Sequence, residues 1–125
     1  MASVAAPMRE PTYFVLACLL EGPLHGYAII KRAEELSGGR VRLATGTLYT
    51  ALDRLTAEGY IRLISDEIVS GRVRRSYGLT DSGAAALRAE AARMAEAAQI
   101  VTRRSRAKAA RHPRPARAAR NPRTA

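Results

Sequence analysis

The sequence predicts a mainly α fold with one small β-hairpin, closed by a longer C-terminal helix. Three observations carry this. Apolar residues recur at helical spacing in three segments before residue 59. Residues 60–79 then change to extended character, interrupted by Ser70-Gly71. An Ala-rich stretch follows the caps offered by Thr80, Asp81, Ser82 and Gly83.

Residues 1–10 form a loose leader. Pro11 suits the first turn of a helix, where its missing N–H costs nothing. Phe14, Leu16, Ala17, Leu19 and Leu20 make that helix apolar nearly all round, so it belongs at the centre of the core. Gly22 and Pro23 stop it. A second helix begins at His25-Gly26-Tyr27, with Tyr27, Ile30, Ala33 and Leu36 as its apolar face, and Ser37-Gly38-Gly39 ends it. Residues 40–44 are a short linker. The third helix starts at Thr45 or Gly46, with Thr45 as N-cap, and presents Leu48, Leu52 and Leu55 to the core. It stops at Gly59, a left-handed C-terminal cap. Tyr60–Ser65 is a strand, Asp66–Arg72 holds the turn, and Val73–Leu79 is the returning strand. The fourth helix occupies residues 81–104. Residues 105–125 are rich in Ala, Arg and Pro and bury too little to offset their ordering entropy, which predicts a disordered basic tail.

The chain has 125 residues and a formal net charge of +10. Residues 1–102 carry twelve basic and eleven acidic side chains, whereas residues 103–125 carry nine basic and none acidic. The excess is a property of the tail and implies an anionic partner, most often nucleic acid. Cys18 is the single cysteine, so no intrachain disulfide or cysteine-rich metal site forms, and it reads as a small buried hydrophobe in a reducing compartment. The longest apolar run, Tyr13–Leu20, is too short to span a bilayer, and no secretory signal is evident. The expectation is a cytoplasmic protein, associated with the nucleoid when bound to DNA, with no membrane contact. The histidines are His25 and His112, and no acid pair, nucleophile–base set, phosphate loop or metal-ligand spacing accompanies them. The expectation is no enzyme, no metal and no cofactor.

Three helices followed by a hairpin make a winged helix-turn-helix, here over residues 11–80, followed by a C-terminal dimerisation helix over residues 81–104. The third helix is then the recognition helix. Thr45, Gly46, Thr47, Tyr49 and Thr50 lie at its N-terminal end, where free N–H groups and the helix dipole suit phosphate. Threonine hydroxyls serve base edges or phosphates, Tyr49 can donate to a phosphate, and Arg54 can reach phosphate or guanine. The bland alternatives are capping and solvation for the threonines and packing for Tyr49. The wing supplies Arg72, Arg74 and Arg75. Arg74 and Arg75 point to opposite faces, so one can meet DNA while the other pairs with Asp66 or Glu67. The bland alternative is a solvated charge run.

"LHGYAII", "GTLYTALDRLTAEGYI" and "RRSYGLTDSG" together resemble the PadR family of bacterial transcriptional regulators over residues 12–100. The resemblance implies that Tyr49 is the DNA-facing tyrosine of a "TLY" motif and that Arg74 and Arg75 belong to the wing. It further implies a homodimeric repressor of an inverted-repeat operator on double-stranded DNA, in some members relieved by a small aromatic effector. Two features depart from the pattern. The fourth helix offers Leu87, Ala91, Met94, Ala98 and Val101 as a seam of only about two heptads. With no Trp and one Phe, an aromatic sandwich for an effector is not evident. The rival function is an architectural DNA-binding protein whose basic tail coats DNA without sequence choice.

Overall fold

A computed structural model describes residues 7–111. The elements run α1 (Glu10–Cys18), β1 (Leu24–His25), α2 (Gly26–Leu36), α3 (Thr45–Ala57), β2 (Ile61–Val69), β3 (Arg72–Leu79) and α4 (Asp81–Arg111). The chain divides after Ala91 into two compact units. The first holds α1 to the opening turns of α4. Within the described residues the second is the remainder of α4.

The first unit is organised by α1. Val15, Leu16, Cys18 and Leu19 are buried and pack with Ile29 of α2, with Leu48, Leu52 and Leu55 of α3, and with Ile61, Tyr77 and Leu87. Burying each such Leu or Ile contributes about 1.5–3 kcal/mol. Leu48, Leu52 and Leu55 are all fully enclosed, so the opposite face of α3 is left to solvent.

A single glycine separates α3 from the wing because the helix closes with a Schellman turn. Gly59 adopts φ +82°. The Tyr60 N–H donates to the Leu55 carbonyl at 3.0 Å and the Gly59 N–H to the Thr56 carbonyl at 3.0 Å. Thr80 then ties the far end of the wing back to this turn. Its N–H donates to the Tyr60 carbonyl at 3.0 Å, and its hydroxyl donates to the Gly59 carbonyl at 2.6 Å. The same hydroxyl accepts the Gly83 N–H at 3.0 Å and so caps α4.

Several expectations are corrected. The apolar face of α2 is Gly26, Ile29 and Ala33, with Ile30 partly buried against the core, whereas Tyr27 and Leu36 are exposed. Gly26 can be a contact residue because it lacks a side chain, a role that hydrophobic patterning does not register. The N-cap of α3 is Ala44, not Thr45, and no side chain caps it. The wing is longer than its turn signals suggest: Asp66–Val69 stays in the strand. Ser70 (φ 53°) and Gly71 (φ 77°) alone reverse the chain, both left-handed as a two-residue hairpin turn requires. The sheet has three strands in the order β1-β3-β2, because Leu24 and His25 pair with Tyr77 and Ser76. His25 thus ends a strand and is at the same time the N-cap of α2, without a side-chain cap bond. The fourth helix continues through Ser105 to Arg111, seven residues beyond its expected end, because Arg, Lys and Ala favour helix and the first proline comes only at 113. Residues 105–111 are therefore helical, not disordered. The expected tail beyond residue 111 and most of the expected leader, residues 1–6, lie outside the described residues.

Cys18 is 5% exposed, and its thiol donates to the Val15 carbonyl at 3.0 Å. Burial pushes the thiol from 9.0 up to about 12, against smaller lowering effects from its backbone hydrogen bond and Arg32. The folded state therefore holds this proton after the unfolded state has released it. The stabilisation is complete below pH 9.0 and is lost as pH rises toward about 12. Urea unfolding across this window should show the wild type losing stability more steeply than Cys18→Ala. Parallel pH profiles would contradict this account of the thiol.

Candidate nucleic-acid interface

The exposed side of α3 follows directly from its buried side. With Leu48, Leu52 and Leu55 inward, Thr45, Gly46, Thr47, Thr50 and Asp53 face solvent. The first helical N–H is that of Leu48, which donates to the Ala44 carbonyl at 2.9 Å. The N–H groups of Thr45, Gly46 and Thr47 precede it and have no intrahelical acceptor. This end of α3 therefore combines open donors, the positive pole of the helix and three exposed threonine hydroxyls.

Tyr49 sits at the edge of this surface, 37% exposed. A Cβ added at Gly26 would fall on its hydroxyl, so the ring leans against the first residue of α2. Packing and presentation thus share this side chain. Gly26, in "LHGYAII", supplies the gap into which Tyr49 fits, a role visible only once α2 and α3 are docked. Nearby, burial raises the Tyr77 phenol above its ordinary range. The Arg75 guanidinium acts against that shift, while Tyr49, Asp53 and Asp66 add to it. The base of the wing and the exposed side of α3 thus meet around Tyr77.

The pairing of β2 with β3 divides the wing arginines. Arg74 stands opposite Glu67 and Arg72 opposite Val69, on one face of the ribbon. Arg75 stands opposite Asp66 on the other face, and their charged groups approach to 3.9 Å. Both partners are half exposed, so this pair contributes little stability, under about 1 kcal/mol. Among the described residues, neither Arg72 nor Arg74 forms an ion pair. Arg54 is engaged elsewhere. Its guanidinium donates to the Thr12 hydroxyl at 3.0 Å and to Glu58 at 3.4 Å, which turns it toward α1.

On α4, Leu87 is 4% exposed and belongs to the core of its own unit. It cannot at the same time be offered to a second copy, which corrects its place at the head of the expected seam. Ala91 is half-buried, and Met94, Ala98 and Val101 are exposed.

An open groove of about 410 Å³ lies where Cys18, His25, Tyr27, Lys31, Arg32 and Glu35 converge. The Lys31 ammonium stands 5.8 Å from the Tyr27 ring centroid, and Arg32 bridges to Glu35 at 3.3 Å. Among the described residues, no group of three His, Cys, Asp or Glu side chains is placed to hold a metal ion, and no helix is long and apolar enough to cross a membrane.

Comparison with known proteins gives consistent results. The model of the transcriptional regulator PadR-like family matches residues 15–89. A transcriptional regulator of Mycobacterium tuberculosis is 42% identical over 69 residues, 54% of this chain and 63% of that protein. An uncharacterised protein in a Streptomyces fradiae transposon is 44% identical over 87 residues, 70% of this chain but 24% of its own length. The chain thus spans less than two thirds of either curated relative. The crystal structure of Bacillus subtilis PadR in complex with operator DNA is similar with a TM-score of 0.57 and 31% identity, covering 64% of this chain and 46% of that one. A PadR family transcription regulator from Clostridium difficile shares the fold with a TM-score of 0.63 at 24% identity, over 76% of this chain and 97% of that one.

Proposed function

The chain belongs to the PadR-like family of transcriptional regulators, and on that premise we propose that it is a homodimeric repressor of an inverted-repeat operator. The N-terminal end of α3 enters the major groove, and Thr47 and Thr50 meet base edges there. Tyr49 and the open N–H groups of Thr45–Thr47 hold phosphate, and Arg72 and Arg74 reach the neighbouring backbone from the wing. Ala91, Met94, Ala98 and Val101 of α4 contribute to the contact between two copies. Half-sites then lie about one helical turn apart. Relief by a small aromatic ligand would use the groove beside Tyr27, whose volume of about 410 Å³ is ample for one.

The observation that carries this reading is the division of labour along α3: one face wholly buried, the other bare at the helix end where donors are unspent. The likeness to a PadR solved in complex with operator DNA supports DNA as the partner.

The test is equilibrium binding to genomic fragments that the protein retains. Arg74→Ala should weaken binding about tenfold and lower the slope of log affinity against log salt by about 0.9, the signature of one phosphate left without its cation. Tyr49→Phe should weaken it by less than Tyr49→Ala, because the ring keeps its place against Gly26. Unchanged affinity in both alanine variants, with the fold intact by circular dichroism, would refute the assignment.

A further inference from the structure

The last three turns of α4 hold an arrangement that the operator reading leaves unused. After Glu96 the chain contains no acidic residue, yet it remains helical to Arg111. Arg103, Arg104, Arg106, Lys108 and Arg111 all fall in this stretch and are exposed. Their positions on the helix are not random. At 3.6 residues per turn, the four arginines share an arc of about 160°. Met94, Ala98 and Val101 project Ser105 and Ala109 onto the opposite side, with Lys108 on the border. The apolar seam and the basic arc are therefore different faces of one helix.

This arrangement costs helix stability. Arg103 and Arg106 are three apart, and Arg104 and Lys108 four apart, so each pair repels, and no acid lies between to offset it. Complementing the helix dipole accounts for Lys108 and Arg111 in the last turn, but not for three arginines further back. The cost is relieved when a polyanion covers the arc. The repeating charge of a duplex backbone matches a rigid row of guanidinium groups, which bind phosphate in a bidentate manner.

We propose that the arc of Arg103, Arg104, Arg106 and Arg111 is a second, sequence-independent contact for duplex DNA, built on the helix that carries the seam. It rests on the DNA-binding reading above, but not on any assignment within α3 or the wing. The arc adds affinity to every duplex equally and leaves discrimination to α3. It also differs from a disordered polycation, because its charges are held on one side and leave the seam open to a second copy.

The experiment uses the full chain and the variant R103Q/R104Q/R106Q/R111Q, since Gln keeps length and helix propensity. The duplex probes are a retained genomic fragment and a duplex of arbitrary sequence, with a single-stranded RNA as comparison, each titrated over a range of salt. The expected result is a fall in salt slope of about 0.9 for each phosphate no longer neutralised, by two or more in total, on both probes alike. The preference for the genomic fragment and the mass by light scattering should be unchanged, and helicity should be equal or higher, since the repelling pairs are gone. An unchanged slope with intact helicity overturns the proposal. So does a loss of preference, which would place the arc in specific recognition, or a fall in mass, which would place it in the contact between copies. A slope that falls on single-stranded RNA and not on duplex DNA also overturns it. If the wild type itself prefers no genomic fragment, the repressor reading fails, while the slope comparison on the arbitrary duplex still decides the arc.

Discussion

Gly83→Ala should lower the unfolding free energy by about 3 kcal/mol, near the upper end of what overpacking costs. An exposed helical glycine ordinarily gains up to about 1 kcal/mol on change to alanine. The sign reverses here because a Cβ at Gly83 would collide with the Tyr60 carbonyl carbon and oxygen and press on Leu79. That carbonyl cannot swing away cheaply, since it accepts the Thr80 N–H, and the Gly83 N–H is bound to the Thr80 hydroxyl. Gly46→Ala is the control: no atom stands within 4 Å of its added Cβ, and its stability should be unchanged or slightly higher. Urea unfolding of the two variants checks the pair. Equal stabilities would mean that α4 does not start where it lies against the end of α3.

The double variant Thr47→Ala/Thr50→Ala should lower the preference for a retained genomic fragment over an arbitrary duplex about a hundredfold. This is about 2.7 kcal/mol, the sum of two modest base contacts. Both residues are exposed and cap nothing, because Ala44 is the N-cap and no side chain caps α3. Stability should therefore be unaffected, and the salt slope should hardly move, since base contacts release no counterions. Competition binding measures the ratio. An unchanged ratio would remove base reading from α3 and favour a protein that binds DNA by charge alone.

How far these features were legible in the sequence varies with the physics behind each. The buried face of α3 was legible, because Leu48, Leu52 and Leu55 keep helical period with no competing apolar residue. The stop at Gly59 was legible for the same local reason: a left-handed cap is a backbone requirement that glycine meets. The split between Arg74 and Arg75 followed from strand alternation, with Asp66 as the acid that takes Arg75. Long-range contacts were not legible. Gly26 is a contact residue only because Tyr49 arrives from another helix. Leu24 and His25 form a strand only because β3 offers an edge. Arg54 looked free on a helical wheel, yet Thr12, forty-two residues away, holds it. Leu87 fitted a seam by spacing, but the core of its own unit took it first. The helical reach to Arg111 was missed for a different reason. An Ala, Arg and Pro composition that buries little suggested disorder, while the helix propensity of Arg, Lys and Ala pointed the other way.

The account rests on α3 reading sequence while the basic residues add affinity. The most direct measurement is to incubate the purified full chain with fragmented genomic DNA at physiological salt, and to sequence what is retained. The account predicts a few sharp sites sharing an inverted repeat, with half-sites about one helical turn apart. Broad retention without a shared motif would contradict it and leave a DNA-coating protein in place of a repressor.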